Sequence, residues 1–411
     1  MLRRPSARQL APLGVAGFRL LFLSTLGSSL GTLLASIALA IDVKDRTNSG
    51  LWVGAVLIVE FLPTIFVGLT LGPLLDRLER RSLMVGADLV RAAVFCALPF
   101  TSSAAGIVGL ALVAGLATGF FRPAVYAGVP NLVPEVQLPE ANALLQTVEN
   151  VSWAVGPLLG GILTAAAGPH AAYWINAVSF LVSAALVVRI PRRLLQSKTA
   201  LTRGHWRDLT DGFVAVLRSR PLLAVLIGWG IASLGIGAIS LSEVFLAKNT
   251  LHAGDFGYGL LYGGIGTGLV IGSWWSSAVV ERFGTGRAYV GALAVMAVGF
   301  GAGAASPNVW ITAVCCLVGG VGDGVAIVCN ALLVQRGAAD RIRGRALTLV
   351  MSATYTLNGA GVVIAGAVVH VTGSRWIWAG GAVSFALGAV AAYALVRQAE
   401  SLEPAAEAAA S

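Results

Sequence analysis

Charged side chains are scarce along the whole of this sequence. Asp, Glu, Lys and Arg make up 11% of its 411 residues, whereas a soluble globular protein carries about 25%. Apolar residues make up 57%, and the mean hydropathy is +0.82. Because the shortage of charge is not confined to one segment, the composition excludes an ordinary soluble domain and indicates an integral membrane protein.

Cysteine and histidine are also rare, with four of each. All four cysteines lie in apolar stretches, which predicts buried thiols rather than a disulfide framework. The spacing of the histidines does not suggest a metal site, and no GxxxxGK[ST] phosphate-binding loop is present. We therefore expect no metal, no cofactor and no enzymatic activity.

What the chain has instead is a series of long apolar runs. A membrane-spanning helix needs about 20 mostly apolar residues, and this length predicts an all-α membrane protein with twelve transmembrane helices in two six-helix bundles. We expect the first run to be an uncleaved spanning helix rather than a signal peptide. The twelve predicted spans are 15–41, 51–75, 82–101, 104–128, 141–166, 170–190, 221–247, 257–280, 286–305, 308–332, 346–370 and 374–396.

The positions of the basic residues predict the orientation of these spans. If the N-terminus is cytoplasmic, 22 of the 28 Lys and Arg lie on the cytoplasmic side and four on the outer side. Cytoplasmic loops of membrane proteins carry such an excess of Lys and Arg. We therefore expect a multi-pass protein of the cell inner (plasma) membrane with both termini in the cytoplasm. This placement explains the net charge of +9 without a nucleic-acid partner.

The two halves of the chain share a short pattern. Asp76-Arg77-Leu78 follows the second predicted span, and Glu281-Arg282-Phe283 follows the eighth, 205 residues later. Two related halves joined by a basic loop are typical of transporters with parallel repeats. The predicted domains are an N-terminal bundle (1–190), a cytoplasmic linker (191–220), a C-terminal bundle (221–398) and a disordered cytoplasmic tail (399–411).

A charged segment, GPLLDRLERRS, interrupts the apolar chain at residues 72–82. Gly72 allows close helix packing, and Asp76 precedes a helix, whose positive end favours a carboxylate. Arg77, Arg80 and Arg81 are able to bond carbonyl and carboxylate groups at helix ends. We predict that Asp76 and Arg77 form a latch that holds one conformation. For Arg80 and Arg81, the sequence favours a role in membrane orientation alone.

This segment resembles the G-x-L-x-D-R-x-G-R-[RK] motif of the major facilitator superfamily, from which it departs by Glu79 in place of glycine. Gly156-Pro157 and Gly160-Gly161 are similar to the end of the superfamily's antiporter motif. Arg122-Pro123 and Asp340-Arg341-Ile342-Arg343 resemble the drug:proton antiporters that include macrolide-efflux and enterobactin-export proteins. The resemblance implies a monomeric transporter in the lipid bilayer, with a small-molecule substrate and protons as the coupling ion.

Carboxyl groups inside the spans are the candidates for proton coupling, because an ionisable residue there costs about 2.5–3.5 kcal/mol. Asp323 lies mid-span among glycines, Glu149 lies two turns into the fifth span, and Glu60 lies inside the second. Glu243 is near the outer end of the seventh span, where we expect it to reach water, and Asp42 is expected to be solvated. Arg122 is the candidate cationic partner. Asp88 and Arg91, three residues apart, are expected to form a structural pair.

Aromatic residues give a weaker indication of a substrate site. Trp153, Trp229 and Tyr355 are candidates to line a cavity for an apolar substrate, although for any single one of them helix packing or lipid contact is the favoured explanation. Three transport functions remain open. The chain is a proton-coupled exporter of apolar or amphiphilic drugs, a dedicated exporter of one metabolite such as a siderophore, or an importer or facilitator without antiport.

Overall fold

A computed structural model describes residues 10–70, 78–195, 219–337 and 340–400, and almost all of these residues are helical. Apolar runs of about 20 residues form helices because backbone groups in a bilayer must be paired within the segment itself. Short 3-10 turns and one π-helical turn, Leu246–Thr250, occur between or beside the long helices.

Twelve long α-helices lie within the described residues. In the first half they are α1 (Ala16–Thr47), α2 (Gly50–Thr70), α3 (Arg80–Ala97), α4 (Ala104–Leu132), α5 (Leu138–Ala167) and α6 (Pro169–Val188). In the second half they are α7 (Arg220–Phe245), α8 (Gly254–Phe283), α9 (Thr285–Ala305), α10 (Val309–Gly337), α11 (Asp340–Thr372) and α12 (Ser374–Glu400).

Ten of the helices are long and apolar enough to cross a membrane. The remaining two are α2, in which Gly50–Glu60 is a shorter apolar segment, and α8, which is rich in glycine. The structure thus confirms an all-helical membrane protein, while the number of twelve spans stays a prediction. Helices α10 and α11 are longer than predicted and extend to Gly337 and from Asp340.

The chain divides into two compact units. The first contains α1, α3 to α6 and α2 from Ala55 onward. The second contains α7 to α12 together with Ser49–Gly54 at the beginning of α2. A buried apolar cluster in the first unit, which includes Phe18, Met84 and Phe121, joins α1, α3 and α4.

The same helix pairs form in both units. In the first, α1 packs against α5 and α6, and α3 packs against α4 and α6. In the second, α7 packs against α11 and α12, and α9 packs against α10 and α12. Each pair in one unit corresponds to a pair six helices later in the other. The internal similarity that the short repeated pattern suggested therefore extends to the packing of the helices.

Close backbone approach holds α8 against α10. Gly264, Gly268 and Gly272 of α8 and Gly320 and Gly324 of α10 recur every fourth residue, so the two backbones approach each other along this stretch without side chains between them. A Cβ atom added to Gly268 or Gly272 would lie 2.1 Å from a carbonyl oxygen of α10, and one added to Gly320 would lie 2.2 Å from the Ile265 oxygen of α8. Such small-residue faces replace the hydrophobic driving force that is missing inside a bilayer. They also fix the position of Asp323, which lies between Gly322 and Gly324.

Candidate functional site

Glu149 and Arg122 form an ion pair between α5 and α4. Arg122 donates from Nη2 to Glu149 Oε1 at 2.6 Å, and the Tyr126 hydroxyl donates to the same oxygen at 2.9 Å. The Arg122 side chain is 52% exposed and that of Glu149 is 21% exposed. The Glu149 carboxylate of α5 thus accepts from two donors on the neighbouring helix α4, in a partly exposed position. The sequence identified both charges, and the structure brings them together.

Asp323 lies on α10 and is half-buried. Its Oδ1 atom is buried and accepts no hydrogen bond from any described residue. Gly322 packs against Ala292 and Met296 of α9, and Gly324 packs against Leu269 and Ser273 of α8. Helices α9 and α8 thus pack directly against the residues on either side of Asp323, and no cationic side chain within the described part of the chain pairs with it.

Glu243 is buried, and the expectation that it reaches water is wrong. It lies in the last turn of α7 and is 1% exposed, and neither of its carboxyl oxygens has a hydrogen-bond partner among the described residues. The buried thiol of Cys316 on α10 is close enough for electrostatic interaction. Packing of α7 within its unit therefore shields this carboxyl group from water.

The carboxyl group of Glu60, on α2, is hydrogen-bonded to a side chain of α1. The Ser36 hydroxyl donates to Glu60 Oε2 at 2.6 Å, and Glu60 itself is half-buried. One turn away, Pro63 and the carbonyl of Val59 lie against Gly115 of α4, where a Cβ atom would approach the carbonyl oxygen to 2.2 Å. Glu60 is thus a carboxyl group with one neutral donor, placed where α1, α2 and α4 meet.

The antiporter-like motif forms a helix contact. A Cβ atom on Gly160 would lie 2.4 Å from the Leu34 oxygen of α1, and one on Gly156 would lie 2.8 Å from Leu33. Pro157 and Gly161 are buried within the same stretch of α5. The motif therefore lets α5 pack closely against α1, seven to twelve residues after Glu149.

Only part of the charged segment can be placed. Gly72, Asp76 and Arg77 lie outside the described residues, so the predicted latch is not visible. Arg80 donates from Nη1 to the Ala127 oxygen of α4 at 2.8 Å and to the Leu195 oxygen at 3.0 Å. Arg80 thus holds the end of the segment after α6 against α4, a contact additional to the predicted orientation role. Arg81 is half-buried.

Glu79 stands where the similar motif has glycine, and its backbone conformation does not require a glycine there. Its φ of −69° and ψ of 113° lie in the extended region that any residue adopts. Its carboxylate accepts from Ser82 Oγ at 2.7 Å and pairs with Arg192 Nε at 3.1 Å. The departure from the motif therefore brings an ion pair without backbone strain.

The three aromatic candidates lie in different surroundings. Trp153 on α5 is half-buried, and Trp229 on α7 is 8% exposed, so it packs against other helices. Tyr355 on α11 is 39% exposed. Tyr355 is the most exposed of the three, and the role of each in contacting a substrate stays a prediction.

The prediction that Asp42 is solvated is wrong, and some polar contacts were not predicted at all. Asp42 is not solvated: it is 6% exposed, accepts from Arg46 Nε at 2.6 Å and from the Tyr173 hydroxyl at 2.9 Å. The i,i+4 spacing of Asp42 and Arg46 is a signal that could have indicated the pair. Tyr126 and Ser36 had no such signal, because their partners lie on other helices.

The predicted pair of Asp88 and Arg91 is present and belongs to a buried network. Arg91 Nη2 donates to Asp88, and the Ser183 hydroxyl of α6 donates to the second Asp88 oxygen at 2.7 Å. The Arg91 guanidinium lies 4.4 Å from the centre of the Phe121 ring and 4.3 Å from that of Phe180. This enclosed arrangement is structural.

No metal centre is visible in the described ranges, where no three His, Cys, Asp or Glu side chains lie close enough to hold an ion. Long apolar helices, repeated packing in two units and carboxyl groups between the helices define a multi-pass membrane transporter. A family model described as transmembrane secretion effector matches residues 7–410. The chain therefore belongs to this family of MFS-type transporters.

The chain is similar to curated efflux pumps and to other MFS-type transporters. The multidrug efflux pump Tap of Mycolicibacterium fortuitum is 25% identical over 86% of this chain and 89% of its own length. The macrolide efflux protein A of Streptococcus pyogenes is 26% identical over 47% of this chain and 49% of its own. The uncharacterized MFS-type transporter YkuC of Bacillus subtilis is 27% identical over 64% and 65%. The chain thus spans about half to two thirds of the last two relatives.

Solved transporter structures share the fold. The nucleoside transporter NupG has a TM-score of 0.70 at 15% identity, with 93% of this chain and 99% of that chain covered. A bacterial homologue of the iron transporter ferroportin, in the inward-facing state, has a TM-score of 0.69 at 17% identity, with coverage of 92% and 98%. At these identities the similarity concerns the fold alone.

Proposed function

We propose that this protein is a secondary active exporter of small apolar or amphiphilic molecules, driven by proton antiport through alternating access. The observation that carries the proposal is the set of carboxyl groups between apolar helices, namely Asp323, Glu149, Glu60 and Glu243, with Arg122 bound to one of them. A proton carrier must be neutral when buried and charged when it meets water or a cationic substrate.

The relatives support export in particular. Tap, which aligns with 86% of the chain, is named a multidrug efflux pump, and macrolide efflux protein A is named for one drug class. We therefore take the substrate to be a drug-like molecule, and we place Trp153, Trp229 and Tyr355 among the residues that contact it. The protein acts as a monomer in this proposal.

The proposed topology has twelve spans in two six-helix bundles, residues 1–190 and 221–398, with a linker at 191–220 and a tail at 399–411. The charge asymmetry supports placing both termini in the cytoplasm. Single cysteines at Asn48 and Ala200, in a protein whose four native cysteines are replaced, test this placement. A membrane-impermeant thiol reagent should label position 48 from outside and position 200 from inside, and the reverse would disprove the orientation.

Transport in inverted membrane vesicles tests the function. Ethidium, as a cationic amphiphile, and erythromycin, as a macrolide, should accumulate when the vesicle interior is acidified, and a protonophore should abolish the accumulation. Vesicles from cells that lack the protein are the control. Movement that only follows the substrate gradient would indicate a facilitator, and no movement of either compound would favour a dedicated metabolite exporter.

A further inference from the structure

Two helices of the second unit pack on a third without closing on each other. Helices α11 and α12 each pack extensively against α7, whereas their contact with one another is slight. The approach to α7 is close on both sides. A Cβ atom on Gly235 would lie 2.9 Å from the Gly381 oxygen of α12, and one on Gly237 would overlap the Asn358 oxygen of α11. The space left between α11 and α12 is a groove with α7 as its floor.

This groove has a volume of about 290 Å³ and an apolar lining. None of the residues that line it is charged, and the hydroxyl of Thr372 in its wall donates to the Val368 backbone oxygen at 3.0 Å. The groove therefore offers apolar surface to a ligand and almost no hydrogen-bonding group. Its lining includes Leu234 and Ala238 of α7, Ile364 and Val368 of α11, and Trp376 and Gly380 of α12.

The groove is continuous with the membrane-facing surface of the second unit. Helices α7, α11 and α12 are all long and apolar enough to cross a membrane, so hydrocarbon surrounds them. On α12, Trp376, Gly380, Val383 and Leu387 recur every third or fourth residue, and all four are exposed. On α11, Ile364 is exposed as well. Exposed apolar surface of this extent marks contact with a membrane, and the groove lies between these two exposed faces.

The beginning of α2, which belongs to the same unit, leaves the groove open. It packs against another face of α11, where a Cβ atom on Gly50 would lie 2.5 Å from the Gly366 oxygen. Ile364 and Val368 each lie two residues from Gly366, which is about 200° around the helix axis. The groove is therefore on the side of α11 that faces away from α2.

The dimensions of the groove fit one hydrocarbon chain. Its α11 wall extends from Ile364 to Thr372, about 12 Å of helix, which is close to half the thickness of a bilayer core of about 30 Å. Trp376 lies at the end near the turn between α11 and α12 and is 76% exposed, as is typical of Trp at the headgroup level. The volume of about 290 Å³ is at the lower limit of the roughly 300–1,000 Å³ found for drug-sized ligands.

We propose that this groove binds one acyl chain of a phospholipid from the leaflet that contains the turn between α11 and α12. On the proposed topology this is the outer leaflet. The chain covers Leu234 and Ala238, which α11 and α12 leave half-buried, and so supplies the dispersion contacts that an empty groove lacks. Only the membrane location of the helices is required, so the proposal does not depend on antiport or on the transported substrate.

Gly380 offers a variant that fills the groove. A Cβ atom added there would meet nothing within 4 Å, so the ring in Gly380→Phe has room to enter the groove. Gly109→Phe on α4 is the matched control. Gly109 is also exposed, a Cβ atom there also meets nothing within 4 Å, and it lies at a similar distance from the beginning of its helix.

Photolabelling in a bilayer tests the occupant. The protein is placed in vesicles of phosphatidylethanolamine and phosphatidylglycerol that contain a little phosphatidylcholine with a diazirine in one acyl chain. After illumination, mass spectrometry locates the label. In the wild type, residues 364–372 and 376–381 should carry more label than the other exposed parts of the spans. Gly380→Phe should lose this excess, and Gly109→Phe should keep it.

Several results would overturn the proposal. An even distribution of label over the spans of the wild type would do so without any variant. Displacement of the label by ethidium would assign the groove to a transported substrate instead. A wild-type dimer that Gly380→Phe converts to a monomer would assign it to a second copy of the chain.

Thermal unfolding in detergent gives an independent measurement. A ligand that binds the folded state raises its stability, so added phospholipid should raise the Tm of the wild type and of Gly109→Phe. The increase should be smaller for Gly380→Phe, because its ring already occupies the groove. An equal increase in all three proteins would contradict a specific site.

Discussion

Arg122 on α4 and Glu149 on α5 are joined by a 2.6 Å bond between Nη2 and Oε1, although 27 residues separate them in the chain. Their side chains are 52% and 21% exposed, so the pair faces open space on one side. An exposed ion pair contributes at most about 1 kcal/mol to stability. The pair is therefore better suited to setting the charge of a site than to holding two helices together.

A double-mutant cycle tests this role. Arg122→Gln and Glu149→Gln should each lower the initial rate of export, because each leaves the other charge unpaired, with little change in thermal stability. The double variant should be no slower than the slower single variant, since residues in one contact are not additive. Tyr126→Phe, which removes only the neutral donor, is the milder control. Additive losses of rate would show that the two residues act independently.

The predicted latch can be tested although Asp76 and Arg77 lie outside the described residues. Asp76→Asn should impair transport more than folding, because a latch contact differs in strength between conformational states. Arg80→Ala should have a smaller effect on transport, since its bonds to the Ala127 and Leu195 oxygens lie within one unit. Export rates compared with the yield of monodisperse protein measure both effects. A fully active Asp76→Asn protein would remove the latch.

The contact of α8 with α10 should be intolerant of a single methyl group. In Gly320→Ala the new Cβ would lie 2.2 Å from the Ile265 oxygen, and such overpacking costs about 1–3 kcal/mol. The matched control is Gly359→Ala on α11, where a Cβ would meet nothing within 4 Å. We expect a lower Tm in detergent for the first variant and an equal or higher Tm for the second. A Gly320→Ala protein with the same Tm as the wild type would contradict the close packing.

The Asp88–Arg91 pair should be important for stability. The two side chains are 0% and 4% exposed, and Asp88→Asn leaves a buried guanidinium without its counter-charge. Breaking a buried pair in this way costs about 3–5 kcal/mol, which thermal unfolding should register as a large fall in Tm. Ser183→Ala, which removes one hydrogen bond to Asp88, should cost about 1 kcal/mol.

A double replacement provides the check on that interpretation. Asp88→Asn combined with Arg91→Met removes both charges and keeps an apolar side chain between Phe121 and Phe180. Replacement of a buried pair by apolar groups is often neutral, so we expect the double variant to regain stability over Asp88→Asn. A double variant less stable than Asp88→Asn would show that the charges themselves are required.

Much of the fold was predictable from the sequence, because the bilayer imposes one simple rule. A run of about 20 apolar residues must form a helix, and the predicted spans coincide with the helices to within a few residues at most ends. The carboxyl groups were also recognisable, because a charge inside an apolar run is conspicuous. The i,i+3 spacing of Asp88 and Arg91 predicted their pair, since both residues lie on one helix.

The surroundings of those carboxyl groups required the tertiary structure. Glu243 near a helix end suggested access to water, and only the packing of α7 against α10 shows that it is buried. Glu149 and Asp323 looked equivalent in the sequence, yet one is paired with Arg122 and the other has no cation among the described residues. The physical reason is that the charge state of a carboxyl group depends on neighbours from other helices. The sequence by itself therefore determined the helices and the positions of the charges, and the packing between helices decided which charges have partners.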